Sequence, residues 1–383
     1  MKRLDLGAVT APPGAIPDSM LAVTIRRERE GEPRDAMKLE EVPVPGIGPD
    51  EVLVLVMAAG VNFNGVWAAR GRPVSVFDMH HEPFHIAGSD AAGIVWKVGE
   101  SVTRWKPGDE VVVHCNQSCG QCPECNGLDP MACERQKIWG YETSWGSFAQ
   151  LAKVQAQQLV HKPRQLGWAE AASYGLTYFT AYRMLVDRAE MKPGDNVLVW
   201  GAGGGLGSFA VQLCKLVGAN PIAVVSSPER ERLVRELGAS MVIDRTGFDF
   251  TRGPQVSRAF GARIRELTGG KDADIVFEHV GKQTFPTSVL VAKRFGKIVI
   301  CGATSGYDLD FDVRYLWMRQ KTIIGSHFAN AYEAERANRL VIEGKIRPVL
   351  DQVFPLHRAA EAHQLVADNR HKGKIAILVQ AAA

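Results

Sequence analysis

The sequence lacks any run of about 18 consecutive apolar residues, so no part of it predicts a transmembrane helix. No apolar segment of signal-peptide length follows the first residues. The formal net charge is only +3 and no long basic run occurs, which argues against nonspecific nucleic-acid binding. We therefore expect a soluble cytoplasmic protein with a small-molecule partner, and neither a nucleic-acid nor a membrane partner.

Internal repeats are also absent, and 383 residues with 46% hydrophobic content are too many for one core. From about Ala22 to Val160, short β-type runs broken by Gly and Pro predict a partly closed β-barrel. From about residue 188, short apolar strands alternate with amphipathic helices. This second pattern predicts an α/β domain built on a doubly wound parallel sheet.

Cysteine is scarce, and most of it is concentrated in one C-x-x-C-x-x-C-x7-C segment that contains Cys119, Cys122, Cys125 and Cys133. Four thiolates complete a tetrahedral zinc site with no open position, so this Zn²⁺ would be structural and not catalytic. The alternative is a set of disulfides or free core cysteines. The other cysteines lie in apparent strand or helix interiors and do not suggest a disulfide framework.

A glycine-rich turn stands between the apolar strand VLVW and the helical pattern FAVQLCKLVGA. Glycines allow a tight turn and close backbone approach, and the following helix N-terminus offers N–H donors to a pyrophosphate. A packing turn is the alternative, but the strand before and the helix after favour nucleotide binding. The predicted cofactor-binding positions are Gly201, Gly203, Gly204, Gly205, Leu206 and Gly207.

The tip of the second strand carries no acidic residue that could bind the ribose hydroxyls of NAD. Ser226 and Ser227 stand there, and Arg230 and Arg232 follow. Arginines form charge-assisted hydrogen bonds with phosphate, so this segment predicts NADPH as the cofactor. The alternative is that the arginines pair with glutamates of the same helix, namely Glu229, Glu231 or Glu236.

The cysteine spacing resembles the structural-zinc lobe of the medium-chain dehydrogenase/reductase superfamily. That resemblance implies a GroES-like catalytic domain over residues 1–187, with the lobe at about 115–135. It also implies a Rossmann NADP-binding domain over 188–335 and a C-terminal return to the catalytic domain over 336–383. A homo-oligomer, either a dimer or a tetramer, is expected.

Zinc alcohol dehydrogenases of this superfamily bind a second, catalytic zinc, but its ligand positions look different here. Asn62 and Asn64 occupy the first ligand loop, and Ser89 and Asp90 replace a His-Glu pair. Amide and hydroxyl groups are poor zinc ligands compared with imidazole and thiolate. We therefore expect hydride addition to a C=C bond conjugated to a carbonyl group, rather than alcohol oxidation through a zinc alkoxide.

The segments FNGVW, HIAGSD, IWGYET, RYLWM and IIGSHFAN resemble the crotonyl-CoA carboxylase/reductase branch over about residues 60–335. The resemblance implies hydride transfer from NADPH to the β-carbon of crotonyl-CoA or acryloyl-CoA. The resulting enolate is trapped by CO2 or by a proton. By resemblance, Asn64, Glu142 and His327 line a CO2 pocket in which Glu142 orients the histidine. Tyr141 replaces the family's phenylalanine, and a phenol can bind water or donate a proton.

Several alternatives stay open at this stage. Arg314 and Arg319 are candidates for binding the coenzyme A phosphates, but they could equally form surface salt bridges. His327 could be a core histidine, and Tyr141 could serve packing alone. Three other functions compete with a carboxylating reductase. They are an enoyl-CoA reductase that does not use CO2, a zinc-independent NADPH quinone or enone oxidoreductase, and a non-catalytic nucleotide-binding protein.

Overall fold

The computed structural model describes residues 3–9 and 11–382, which form two compact units. The strands, in chain order, are β1 (Ser19–Ile25), β2 (Lys38–Pro43), β3 (Glu51–Val61), β4 (His85–Ile86), β5 (Ala91–Val98), β6 (Glu110–Val113), β7 (Asn116–Gln117), β8 (Lys137–Ile138), β9 (Leu151–Gln155), β10 (Leu159–His161), β11 (Asn196–Val199), β12 (Asn220–Val225), β13 (Met241–Asp244), β14 (Ala273–Glu278), β15 (Ala292–Ile300), β16 (Thr322–Gly325), β17 (Leu350–Pro355) and β18 (Lys374–Leu378). The α-helices are α1 (Pro33–Ala36), α2 (Phe63–Arg70), α3 (Trp168–Ala171), α4 (Gly175–Tyr182), α5 (Gly205–Val217), α6 (Pro228–Glu236), α7 (Pro254–Thr268), α8 (Phe285–Val291), α9 (Arg314–Trp317), α10 (Ala331–Ile342) and α11 (Ala359–Ala367). None of the described helices has both the length and the apolar composition needed to cross a membrane.

The first unit runs to Leu176 and resumes at Ala329. Its main sheet has the order β10-β6-β5-β3-β18-β17, with β9 also paired to β3. The central strand β3 is almost entirely buried, which agrees with its continuous apolar sequence VLVLVMAAGV. Strand β18 pairs antiparallel with β3, so the C-terminal segment completes the sheet of this unit.

The second unit comprises residues 177–328 and contains a sheet with the order β13-β12-β11-β14-β15-β16. All of its strand pairs are parallel. Numbered from its own first strand, the order is 3-2-1-4-5-6, which defines the doubly wound dinucleotide-binding fold. The predicted α/β class is therefore confirmed, and β11 and β14 meet at the point where ligands of such sheets bind.

The boundaries of the two units differ from the predicted 188 and 335. Helix α4 continues into a π-helix over Arg183–Arg188, and the Tyr178 ring lies 5.1 Å from the Phe209 ring on α5. This aromatic packing joins the helix to the second unit before its first strand begins. At the other end, His114 Nε2 donates to the Ala329 carbonyl at 2.7 Å, which binds the chain to the first unit again.

Candidate active site

The glycine-rich turn connects β11 to α5 in the second unit. Gly201 has a φ of 56°, and its carbonyl accepts a hydrogen bond from the Gly204 N–H at 2.9 Å. A Cβ on Gly207 would collide with the Gly201 carbonyl, so the close approach of helix and turn requires glycine there. The first N–H groups of α5 have no intrahelical acceptor, and the helix dipole makes this end attractive to an anion. The turn can therefore hold a pyrophosphate.

The predicted phosphate-binding arginine Arg230 lies beside this turn. A Cβ on Gly203 would be 2.7 Å from the Arg230 Cβ, so the stem of the arginine packs over the glycine. Arg230 Nη1 donates to Ser226 Oγ at 3.0 Å, and the Arg230 N–H donates to Ser227 Oγ at 3.3 Å. Ser227 thus caps α6 and places the guanidinium at the tip of β12, where a ribose 2′-phosphate would bind.

Arg232 occupies a different position on the same helix. Its guanidinium pairs with Glu229 at 3.5 Å, and its side chain is 68% exposed. The ion pair is the alternative that the sequence left open. A phosphate contact from Arg232 stays a prediction that this geometry does not support.

Two residues at the end of β14 were not predicted as site residues. The buried Glu278 carboxylate accepts hydrogen bonds from Thr284 Oγ1 at 3.0 Å, from Ser288 Oγ at 2.5 Å and from the loop that follows β14. His279 Nε2 donates to the Trp200 carbonyl at 2.9 Å, and its ring lies beside Gly201. Burial lowers the pKa of His279, which favours a neutral ring beside the nucleotide turn.

The four predicted cysteine ligands come together in the first unit, between β7 and β8. Their sulfur atoms all lie within 4.8 Å of one another, and in the described part of the chain no other His, Cys, Asp or Glu residues form such a group. Cys119 and Cys125 Sγ are 3.8 Å apart, and Cys122 and Cys125 Sγ are 3.5 Å apart. These distances are too long for disulfides and close to the roughly 3.8 Å edge of a tetrahedron with Zn–S bonds of about 2.3 Å. N–H groups of Gln121 and Cys122 lower the pKa of Cys119 to about 6.

The predicted CO2-pocket residues of the first unit are connected through Ser89. Asn64 Nδ2 lies 2.7 Å from Ser89 Oγ, and Ser89 Oγ lies 2.7 Å from the Trp139 carbonyl oxygen. Trp139 begins the loop that carries Tyr141 and Glu142. The Glu142 carboxylate accepts a hydrogen bond from the Ile138 N–H at 2.6 Å, so one of its oxygens is engaged by its own loop. The sequence pointed to Asn64, Tyr141 and Glu142 but not to Ser89 as their connection.

The next residue, Asp90, forms a buried ion pair with Lys374 of β18. Lys374 Nζ lies 3.2 Å from Asp90 Oδ2, and both side chains are at most 3% exposed. Asn62 Nδ2 donates to Asp90 Oδ2 at 2.8 Å, and the Leu176 N–H donates to Asp90 Oδ1 at 2.6 Å. Lys374 also hydrogen-bonds the Asn62 side-chain oxygen and the Val61 carbonyl. The Asp90 carboxylate is thus held by three groups of the protein, namely Lys374, Asn62 and the Leu176 N–H.

His327 lies in the second unit, after β16, so its participation in a site with Asn64 stays a prediction. Solvent reaches the residue, yet the protein atoms around the ring and the nearby Arg183 lower the pKa of His327. The ring packs edge-on against Phe328 with a centroid distance of 4.5 Å. The neutral form therefore predominates at neutral pH, and a neutral imidazole can donate one hydrogen bond and accept another.

The two arginines predicted to bind coenzyme A line different cavities of the second unit. Arg314 borders a cavity of about 900 Å³ beside Lys282 and Tyr315, and its guanidinium forms a bidentate ion pair with Asp312 at 2.7 and 2.9 Å. Arg319 borders a second cavity of about 220 Å³, which shares Arg258, Leu290 and Tyr315 with the first. Binding of coenzyme A phosphates by either arginine stays a prediction.

Comparison with known proteins agrees with this architecture. The zinc-binding dehydrogenase family matches residues 205–343, and the alcohol dehydrogenase GroES-like domain family matches residues 48–164. The chain thus belongs to the class of two-domain medium-chain dehydrogenases/reductases, as its sequence predicted. A crotonyl-CoA carboxylase/reductase from Cereibacter sphaeroides is 53% identical over 97% of this chain and 90% of that protein. The chain belongs to the crotonyl-CoA carboxylase/reductase family, and the predicted branch is confirmed.

Solved structures give the same result. Crotonyl-CoA carboxylase/reductase AntE in complex with NADP superimposes with a TM-score of 0.94 at 45% identity, covering all of both chains. The 2-octenoyl-CoA carboxylase reductase CinF in complex with NADP and 2-octenoyl-CoA has a TM-score of 0.93 at 43% identity. That comparison covers 96% of this chain and 89% of CinF. The protein is therefore an oxidoreductase of this family.

Proposed function

We propose that this protein reduces the C=C bond of a short-chain enoyl-CoA with NADPH and adds CO2 to the resulting enolate. The observation that carries this proposal is Asn64, which Ser89 connects to the loop of Tyr141 and Glu142. The Asn64 Oδ1 atom is buried and has no hydrogen-bond partner among the described residues. Buried polar atoms are normally paired, so this unpaired buried oxygen marks a place for a ligand or water.

Each residue has a defined part in this chemistry. NADPH supplies the hydride, and the turn at Gly201–Gly207 would hold its pyrophosphate while Arg230 binds the 2′-phosphate. Hydride addition to the β-carbon moves the C=C electron pair to the α-carbon and carbonyl oxygen of the thioester. Asn64, Glu142 and His327 would hold CO2 so that the α-carbon attacks it and forms a C–C bond. The products are NADP⁺ and a carboxylated acyl-CoA.

The cofactor proposal predicts a difference between two arginines of one helix. Replacing Arg230 with alanine should raise the KM for NADPH about ten- to hundredfold, since a charge-assisted hydrogen bond to phosphate is lost. The KM for NADH should change little. Arg232→Ala is the matched control and should alter the NADPH KM by less than about twofold, because its ion pair with Glu229 is exposed. Equal effects of the two variants on the NADPH KM would contradict the assignment.

The fate of the enolate should depend on Tyr141. A proton and CO2 compete for one carbanion, so a barrier difference of about 1.4 kcal/mol changes the product ratio tenfold. If the phenol donates a proton or binds water, Tyr141→Phe should raise the carboxylated fraction. His327→Asn should lower that fraction while NADPH oxidation continues. Mass spectrometry of products made in labelled bicarbonate measures both effects, and an unchanged fraction in both variants would exclude these residues from CO2 capture.

We infer a homo-oligomer from the edge of the second unit's sheet. Strand β16 is an edge strand, and Ile323 on it is 37% exposed. Phe295, Trp317 and Met318 are each more than half exposed. An exposed edge strand favours pairing with another strand. A second copy of the chain would cover this strand and these apolar side chains symmetrically. Trp317→Glu should shift the protein toward monomer in sedimentation experiments, whereas Tyr332→Glu, at an exposed aromatic of the first unit, should not.

The proposed substrate carries phosphates on its coenzyme A moiety, and Arg314 is the candidate to bind one of them. Arg314 could bind a phosphate of the substrate at the edge of the 900 Å³ cavity, provided that it leaves its exposed ion pair with Asp312. Such an exposed ion pair contributes little stability, so breaking it to bind a phosphate costs little free energy. A quinone or enone substrate would need none of these groups. Comparing saturation by crotonyl-CoA with saturation by a quinone separates the two substrate classes.

A further inference from the structure

The hydroxyl group of Ser89 makes two hydrogen bonds, and its single proton decides their directions. The Trp139 carbonyl oxygen, 2.7 Å away, can only accept, so Ser89 donates its proton there. Ser89 Oγ must therefore accept from the atom of Asn64 that lies 2.7 Å away. That atom must be Nδ2, because the amide oxygen has no proton to donate. The proton count thus fixes which end of the Asn64 amide faces Ser89.

We propose that Ser89 is a positioning residue for enolate capture, which holds the Asn64 amide in one orientation and ties it to the loop of Tyr141 and Glu142. This inference rests on the proposed function. With Nδ2 bound to Ser89, the buried Oδ1 is left without a partner among the described residues. Ser89 contacts no reacting atom in this scheme and acts through Asn64.

The backbone on either side of the Ser89–Trp139 hydrogen bond is tightly packed, so it cannot move together with the Asn64 amide. A side chain on Gly88 would collide with Ser147 Oγ, and one on Gly140 would collide with the Gly88 carbonyl. His85 also contacts this loop, with its Nε2 atom 3.3 Å from the Gly140 carbonyl oxygen. Burial lowers the pKa of His85 to about 3, so this anchor stays neutral in any assay near neutral pH. Removing the Ser89 hydroxyl therefore frees Asn64 while the surrounding backbone remains anchored.

Ser89→Ala tests the proposal, with Ser147→Ala as the matched control. Ser147 lies in the same region, is fully buried, and its hydroxyl has no partner among the described residues. In labelled bicarbonate with NADPH and crotonyl-CoA, Ser89→Ala should lower the ratio of carboxylated to protonated product about tenfold, which corresponds to one lost hydrogen bond. Ser147→Ala should keep the wild-type ratio.

A double-mutant cycle with Asn64→Ala shows whether Ser89 acts through Asn64. If it does, the double variant should have the same product ratio as Asn64→Ala alone. The effects of two substitutions that act through the same side chain do not add. A wild-type ratio in Ser89→Ala, or a double variant in which the two effects multiply, would overturn the proposal.

A crystal structure of the Ser89→Ala variant decides the question without CO2 chemistry. We expect the Asn64 amide to rotate away from its wild-type orientation, and an unmoved amide would overturn the positioning role. A wild-type product ratio in Asn64→Ala would instead overturn the proposed function. The orientation of Asn64 in the crystal would then still decide whether Ser89 positions it.

Discussion

Replacing Lys374 with methionine should lower the free energy of unfolding by about 3–5 kcal/mol, because it leaves the Asp90 carboxylate buried without its cation. Asn62 and the Leu176 N–H would still bind the carboxylate, but neither carries a charge. Chemical denaturation at pH 7 measures the loss. Lys372→Met is the control, since Lys372 is exposed and should change stability by less than about 0.5 kcal/mol.

The pH dependence of this variant follows from the same pair. Burial raises the pKa of Asp90, and the Lys374 ammonium opposes that rise. Without the ammonium, the folded-state pKa of Asp90 should rise further above its unfolded value, so the folded variant binds a proton that the unfolded chain does not. The stability deficit should therefore shrink as the pH falls below this raised pKa towards the pKa of Asp90 in the unfolded chain. If the loss of stability in this variant instead grew as the pH fell, Asp90 would not be the buried charge that Lys374 neutralises.

A second substitution gives an independent check on the ion pair. In the Asp90→Asn, Lys374→Met double variant neither charge remains, so its destabilisation should be smaller than the sum of the two single effects. Strict additivity would mean that the two side chains do not depend on each other.

Removing the metal proposed for the four cysteines should also lower the stability of the protein by a large amount. The thiolates fit a tetrahedral zinc ion, and a structural site of this kind contributes directly to folding energy. We expect about one zinc per chain, and Cys122→Ser should abolish zinc retention and lower the thermal midpoint by several degrees or more. Metal analysis and calorimetry measure these two quantities.

The control for this experiment is Cys301→Ser, which changes a cysteine of the second unit that lies outside the cluster. This variant should retain its zinc. If Cys122→Ser lost turnover but kept its thermal stability, the metal would be catalytic and the structural assignment wrong. A protein that binds no zinc when expressed with it would also contradict the assignment.

The features that follow from local sequence could be predicted well. Buried parallel strands need continuous apolar runs, and the turn at Gly201–Gly207 needs glycine where the helix approaches it, so both are visible in the sequence. The four cysteines lie within 15 residues of one another, so their spacing alone could indicate a shared metal.

The features that depend on distant contacts could not be predicted. Asp90 and Lys374 are 284 residues apart, and only the pairing of β18 with β3 brings them together. Arg230 and Arg232 lie on different faces of α6, and only the folded structure shows that the face of Arg230 packs against Gly203. Ser89 drew attention only as a replaced metal ligand, because its bond to the Trp139 carbonyl leaves no trace in the sequence.

The most direct test of the central claim uses the wild-type protein with NADPH, crotonyl-CoA and labelled bicarbonate, with the products identified by mass spectrometry. We expect NADPH to be oxidised only when the enoyl-CoA is present, and part of the acyl-CoA product to carry the labelled carboxyl group. Oxidation of NADPH by a quinone but not by crotonyl-CoA, or a reduced product that never contains the label, would contradict this claim.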